Sequence, residues 1–325
     1  MKEKNKGFTL VELLAVIVIL VLIALIATPI ILNVINDAKK QAAKDSAYGY
    51  MDAVEKYIVS SELEDESIQD GIYSVEDLNK KISVKGSTPD NGIIKIENKE
   101  VKKYDIGIDG YAVSNGEVEK VSTTKKFENG TAVYYNPVSG EKCSESESKS
   151  TTGTKSGCMK WYVFNDKEGN ATVNVILDHN TTARVAWNSA VDALKTDTST
   201  WKNTARLITA NEVAKITKHP TFDATQTGQS WFCFDTNKLD NTNYCAKAQG
   251  TSDYAWLFDY TNDCTSYGCN TPDSSTRGYW TSTIKIDGST DAWRIHRAGF
   301  MWCDSVGNIK ESGVRPVITI SKSNI

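Results

Sequence analysis

The chain has 325 residues, more than one average domain, so beyond any membrane anchor it should hold two folded units. Its formal net charge of −4 argues against nucleic acid as the main partner, since phosphate binding needs a concentrated basic surface. Eight tryptophans and fourteen tyrosines, most of them beyond residue 160, exclude a disordered chain and indicate a well-packed distal core.

Lys2, Lys4 and Lys6 precede Gly7-Phe8-Thr9-Leu10-Val11-Glu12-Leu13-Leu14, where Glu12 is a lone carboxylate at the mouth of an apolar run that meets no further charge before Asp37. An acid beside hydrocarbon is costly unless a partner neutralises it, so Glu12 asks for a functional explanation. Leu13 to Leu32 supplies twenty residues interrupted only by Thr28 and Pro29. At about 1.5 Å rise per residue that segment spans about 30 Å of hydrocarbon. A conventional signal peptide has a shorter apolar core, about 7 to 15 residues, with a small-residue cleavage site behind it. Lysines before the segment put the short end in the cytoplasm and the bulk of the chain outside. Pro29 removes one backbone hydrogen bond and kinks or loosens the preceding turn.

The octapeptide from Gly7 to Leu14, with the lysines before it, resembles the amino terminus of type IV pilins and secretion pseudopilins. The resemblance implies that a membrane peptidase cuts after Gly7 and methylates the new terminal Phe8. It assigns Glu12, fifth in the mature chain, to pairing with the Phe8 amine of a neighbouring subunit during assembly. The implied partners are other pilin subunits, a prepilin peptidase/methyltransferase and an inner-membrane assembly platform. The family also carries a proline at the position of Pro29, where the helix can melt as the subunit leaves the membrane.

Past Leu32 the pattern turns amphipathic. Ala43, Ala47, Tyr50, Met51, Val54 and Ile58 recur at three and four, with Lys39, Lys40, Lys44, Asp52, Glu55 and Lys56 between them. Phe8 to Ser60 therefore reads as one helix of about 80 Å, its second half packed on a globular head. Gly49 is a weak spot, costing about 1 kcal/mol relative to alanine. Between Gly71 and Val121 come the alternating runs Gly92–Ile96, Tyr104–Ile108, Tyr111–Val113 and Glu117–Val121. Their separators Asp90-Asn91-Gly92, Asp109-Gly110 and Asn115-Gly116 signal tight hairpins, which need positive φ. A small antiparallel meander should thus cover the apolar stripe of the helix and end near Thr124. Ser74 to Leu78 reads as a helix start, capped by Ser74 with Asp77 at the third position.

Residues 142–157, rich in Ser, Thr, Lys and Glu, read as a solvated loop. Strands are expected at Lys160–Phe164 and Thr172–Leu177. Helices follow around Trp187–Leu194 and Thr209–Ile216, the latter with Thr209 and Glu212 as a capping box. The remainder reads as loops, aromatic clusters and a closing strand, Val314–Ile320. All seven cysteines lie after residue 140, on the side expected to be oxidising. Local pairing suggests Cys143 with Cys158, Cys233 with Cys245 and Cys264 with Cys269, leaving Cys303; Cys233 with Cys303 is a rival.

Phe127 to Ser321 resembles bacterial extracellular domains related to the C-type lectin and formylglycine-generating-enzyme fold. The resemblance rests on Ala205-Arg206-Leu207-Ile208-Thr209, Trp256-Leu257-Phe258-Asp259, Gly278 to Thr283, Ala292-Trp293 and Gly313-Val314-Arg315-Pro316-Val317. Arg315 should form a buried bidentate pair with a carboxylate such as Asp259. The expected class is α+β: a long amino-terminal helix on a small antiparallel sheet, then a larger α+β lectin-like domain. The expected divisions are a leader at 1–7, a pilin domain at 8–124 and an extracellular domain at 125–325.

Catalytic patterns are weak. Asp178 and His179 are adjacent on a strand and face opposite ways, so they make a poor dyad. His296 with Cys303 is a poor nucleophile pair, and no cysteine pair of the formylglycine-generating kind is present. The three histidines, His179, His219 and His296, are scattered, and no cysteine pair has zinc-knuckle spacing, so no metal site is expected. Asp235–Asn243 and Asp259–Asp263 contain oxygen ligands enough for calcium but lack a calcium-loop ordering. Exposed members of Trp231, Trp256, Trp280, Trp293 and Trp302 would stack on sugar rings, while core packing is their default. No enzyme is expected. The sequence reads as a minor or tip pilus subunit with an adhesive head for a glycan or matrix ligand. The alternatives are a pseudopilin of a secretion or DNA-uptake machine and an anchored glycan-active enzyme.

Overall fold

α1, Leu10–Leu63, is one unbroken helix of 54 residues that runs through Pro29. The computed structural model describes residues 9–63, 68–121, 125–148, 157–219, 222–224, 231–235, 252–258, 276–285, 290–307 and 311–325. All six apolar positions expected to face the head, from Ala43 to Ile58, are buried. They pack on Ile94, Ile96, Tyr104, Ile106, Ile108 and Val113. Full burial of a side chain such as Val54 or Ile58 stabilises this contact by about 1.5–3 kcal/mol. The Tyr50 hydroxyl donates to Asn79 Oδ1 at 2.7 Å, so the buried phenol is satisfied.

The sheet beneath α1 is an antiparallel meander in the order β1 to β5. Its parts are β1 (Gly71–Ser74), the short helix α2 (Val75–Leu78), β2 (Asn91–Glu97), β3 (Glu100–Ile108), β4 (Tyr111–Ser114) and β5 (Glu117–Lys120). Ser74 caps α2 by accepting from the Asp77 N–H. Asp109-Gly110 and Asn115-Gly116 turn at positive φ as expected, 51° and 79°, then 48° and 91°. The third hairpin is not where the sequence put it. Asn98-Lys99, at φ 53° and 62°, turns β2 into β3, while Asn91 and Gly92 lie inside β2. Gly92 is there because a Cβ at its φ of 128° would fall on the Asp105 carbonyl of the neighbouring strand.

The distal region holds two more sheets. Its elements are β6 (Ala132–Asn136), β7 (Glu141–Lys142), α3 (Glu145–Ser148), β8 (Met159–Phe164), β9 (Thr172–Leu177), β10 (Thr182–Val185), α4 (Trp187–Asp197) and α5 (Ala210–Ile216). Then come β11 (Trp231–Cys233), α6 (Ala255–Phe258), β12 (Gly278–Ile284), β13 (Asp291–His296), β14 (Phe300–Ser305), β15 (Ser312–Val314) and β16 (Val317–Ser321). One sheet runs β16-β9-β8-β6-β7, and the other β10-β15-β12-β13-β14-β11. The main distal core lies between them, with α5 and α6 closing it around Phe164, Phe232, Tyr279 and Trp293. β9 is buried along its whole length because Val173, Val175 and Leu177 face a second core containing Trp161 and Ile318.

Three expectations change here. The supposed loop at 142–157 begins with α3, whose Ser148 is buried. The aromatic segments read as loops are β12, β13 and β14; β12 and β13 lie buried between the main core and the core under α4, which hides their alternation. The single closing strand is two strands, β15 and β16, in different sheets. Pro316 at the break has no N–H for a ladder, and Arg315 is wholly buried between the sheets.

The first sheet backs directly onto the second. Asn91 Nδ2 donates to the Thr172 carbonyl at 3.2 Å, and the Thr204 N–H reaches Asp105 Oδ2 at 3.3 Å. Gly107 lies so close to Thr172 that a Cβ would stand 3.0 Å from its Oγ1. Burial at this contact pushes the Asp105 carboxyl above the ordinary carboxylate range.

Candidate functional site

Thr9 and Glu12 build the start of α1. Glu12 Oε2 accepts from both the Thr9 N–H and its hydroxyl at 2.8 Å, while the Glu12 N–H donates to Thr9 Oγ1 at 3.3 Å. This is a reciprocal cap that leaves the carboxylate at the helix tip, where the helix dipole favours a negative charge. The sequence reading missed it, although Thr9-x-x-Glu12 ahead of an apolar run is its signature. Gly7 and Phe8 lie outside the described residues, so the geometry bears on Glu12 alone. From Leu10 to Ile35 the large apolar side chains are exposed, Leu10 at 82 % and Ile35 at 43 %. This helix is long and apolar enough to cross a membrane and fits a single-pass anchor. Thr28 donates its hydroxyl to the Ala24 carbonyl at 2.6 Å in the turn that Pro29 weakens.

The distal candidates are dispersed by the fold. His179 is buried, and burial together with the Arg315 charge pushes it down to about 3, so it is a neutral core histidine. Burial raises the Asp178 carboxyl while Arg315 opposes the shift. In the β13–β14 ladder His296 faces Phe300 and Cys303 faces Trp293. Three residues of offset set His296 and Cys303 on opposite faces, about 10 Å apart along the strands. They form no nucleophile pair.

Among the described residues Arg315 pairs with no carboxylate. Its guanidinium donates to three main-chain carbonyls, those of Leu177 at 2.5 Å, Leu257 at 2.7 Å and Trp256 at 2.8 Å. It also lies 5.1 Å from the Tyr279 ring centroid. Asp259, its expected partner, lies outside the described residues. The arginine thus ties the end of β9, helix α6 and the β15–β16 crossover together. Arg206 acts similarly, clamping Glu212 of the observed capping box with contacts of 2.7 and 2.5 Å.

Cys143 and Cys158 form the expected disulfide. Cys233 is disulfide-bonded. Its rival pairing with Cys303 fails on register, because Cys233 faces Phe300 on β14, three residues away from Cys303 and on the other face. Cys245, Cys264 and Cys269 lie outside the described residues, as do Asp259–Asp263 and nearly all of Asp235–Asn243. Asp235 itself accepts the Ser252 hydroxyl at 2.9 Å. Among the described residues no cluster of three His, Cys, Asp or Glu side chains is placed to hold a metal ion. Trp280 and Trp293 are buried in cores, while Trp302 is exposed.

Comparison with known proteins adds one finding at the amino terminus. Residues 2–28 match the family described as the prokaryotic N-terminal methylation motif. No curated protein and no solved structure matches the chain. The matched motif, set on a bare apolar helix, supports a type IV pilin-like or pseudopilin-type subunit, which implies processing by a prepilin peptidase and assembly with other pilin subunits.

Proposed function

We propose that the chain is a prepilin cut between Gly7 and Phe8 and N-methylated on Phe8, whose mature form is a minor or tip subunit with an adhesive head. The observation that carries this reading is the division of α1. Residues Ala43 to Ile58 seat one face on their own sheet, while Leu10 to Ile35 expose apolar side chains to nothing in the chain itself. So large an apolar surface calls for an external partner: hydrocarbon before assembly, the same segments of neighbouring subunits after it. Glu12 at the tip of that surface is the group assigned to the neighbour's Phe8 amine.

Residues 8–124 then form the pilin domain and 125–325 an extracellular, lectin-like head. A head of this size would crowd a filament built only of itself, which favours a minor or tip position. The Cys143–Cys158 disulfide supports an oxidising exterior. The test is amino-terminal mass spectrometry of material sheared from the cell surface. N-methylated Phe8 is the expected terminus, and a chain still starting at Met1 in a host that has the peptidase would refute the proposal.

A further inference from the structure

Lys322 and Asp166 form the one ion pair among the described residues whose two side chains are both wholly buried, with Nζ 2.9 Å from Oδ2. Lys322 follows directly on β16, and its N–H donates to the Ala171 carbonyl at 3.0 Å. Asp166 lies between β8 and β9. The ammonium also donates to the carbonyls of Lys125 at 3.0 Å and Lys167 at 3.2 Å, and the Phe127 ring centroid is 5.8 Å away. The pair thus brings the last residues of the chain to the segment by which it enters the distal region.

The two oxygens of Asp166 are not alike. Oδ2 accepts the Phe127 N–H at 2.9 Å as well as the ammonium. Oδ1 is buried, and among the described residues no donor reaches it. A buried ion pair is favourable only when its remaining lone pairs are satisfied, so an ion pair alone leaves this carboxylate incomplete. Loss of Oδ1 as water would remove the defect. In bulk water hydration of the two ions favours free acid and amine over an amide, whereas here that hydration is already gone and a neutral amide has no charge to bury. A nitrogen 2.9 Å from one carboxyl oxygen lies within about 4 Å of the carboxyl carbon, near the about 3–3.5 Å of an attacking pair. Groups held in this way react as though each were present at about 10⁵–10⁸ M.

We propose that Lys322 and Asp166 condense to an intramolecular amide, which makes the pair a site of self-modification. Two of the three ammonium protons pass to Oδ1, the Nζ lone pair so freed bonds to Cγ, and the Cγ–Oδ1 bond breaks to release water. No other reactant is needed. Oδ2 remains as the amide oxygen on the Phe127 N–H, and the one N–H left on Nζ keeps the Lys125 carbonyl. The Lys167 carbonyl gives up its donor, on a residue exposed to water. The bond straps the end of β16 to the entry of the distal region, so a pull along the chain meets a covalent link there.

The test uses the full chain, purified from membranes in detergent, reduced, alkylated, digested with trypsin and sequenced by tandem mass spectrometry. The expected product is a branched peptide in which residues 161–167 are joined through Asp166 to residues 311–325, about 18 Da below the sum of its parts. The second arm should run uncut through Lys322, because trypsin does not cleave at an acylated lysine. Lys322→Arg keeps the positive charge without the amine, and it should release the two arms as separate peptides at full mass. If that variant proves unfolded, the parent digest decides alone. Separate parent peptides of unshifted mass would show an ion pair only and overturn the proposal. A loss of water confined to residues 161–167, as from an imide at Asp166, would overturn it as well.

Discussion

Replacing Arg315 by methionine keeps an unbranched apolar stem and removes every donor from the side chain. Three buried carbonyls, of Leu177, Trp256 and Leu257, then lose a charged partner at once. The Leu257 carbonyl keeps the Tyr279 hydroxyl at 2.7 Å, and each of the other two acceptors left unsatisfied costs about 1–3 kcal/mol. The shared site makes these losses less than additive, so the expected destabilisation is about 2–5 kcal/mol. The contact with Tyr279 goes as well, and the Asp178 carboxyl loses the charge that opposes its rise. For a domain of about 150–250 residues each kcal/mol shifts Tm by about 2–4 °C, so the melting point should fall by about 4–20 °C. Thermal unfolding of the full chain in detergent, followed by near-UV circular dichroism of the distal tryptophans, measures it. Arg315→Lys should recover less than half of the loss, because one ammonium cannot reach three carbonyls in a fork. A Tm for Arg315→Met within about 2 °C of the parent would refute the view that this arginine ties the distal segments together.

Two further outcomes follow from the helix tip and from the buried histidines. Glu12→Val should insert in the membrane at least as well as the parent yet give less surface subunit at equal total protein. Glu12→Gln separates the two roles of the side chain: it can keep the Thr9 cap, worth about 1 kcal/mol, but carries no charge for a neighbour's amine, and normal surface levels of the glutamine variant would contradict the pairing. His179 at about 3 and His296 at about 4 are depressed below the ordinary histidine value near 6.5, so the unfolded chain binds the extra protons between those limits. Their stabilisation is complete above about pH 6.5 and is lost as the pH falls through that window. Asp90, raised to about 6 by burial, works in the opposite sense between about 6 and 3.8. Burial also raises the Asp105, Asp178 and Asp304 carboxyls, which act in the same sense as Asp90, so the histidine contribution is read as a difference between parent and variant: the change in stability from pH 7 to pH 5 should be more favourable to the variant His179→Gln by about 2 kcal/mol. Denaturant titrations of both proteins at the two pH values measure this, and an unchanged pH dependence in His179→Gln would refute it.

The local features were legible from residues alone. The buried stripe from Ala43 to Ile58, the turns at Asp109-Gly110 and Asn115-Gly116, the Thr209–Glu212 capping box and the Cys143–Cys158 pair each depend on neighbours close in the chain, whose periodicity or positive φ leaves a direct trace. The amino-terminal motif was legible for the same reason, since its parts are contiguous. Thr9 with Glu12 was equally legible and was overlooked because the carboxylate already had another explanation. What only the tertiary structure decided depends on distant contacts. Gly92 looked like a turn residue until the Asp105 carbonyl beside it explained the missing side chain. Val314 to Ile320 looked like one strand, because nothing local says that Arg315 must turn inward to three carbonyls from segments 58 to 138 residues away. Strands β12 to β14 carry tryptophans that face one core, another core, or solvent. Which of Trp280, Trp293 and Trp302 remains exposed is set by what packs over each face of the sheet, and a sequence does not record that covering.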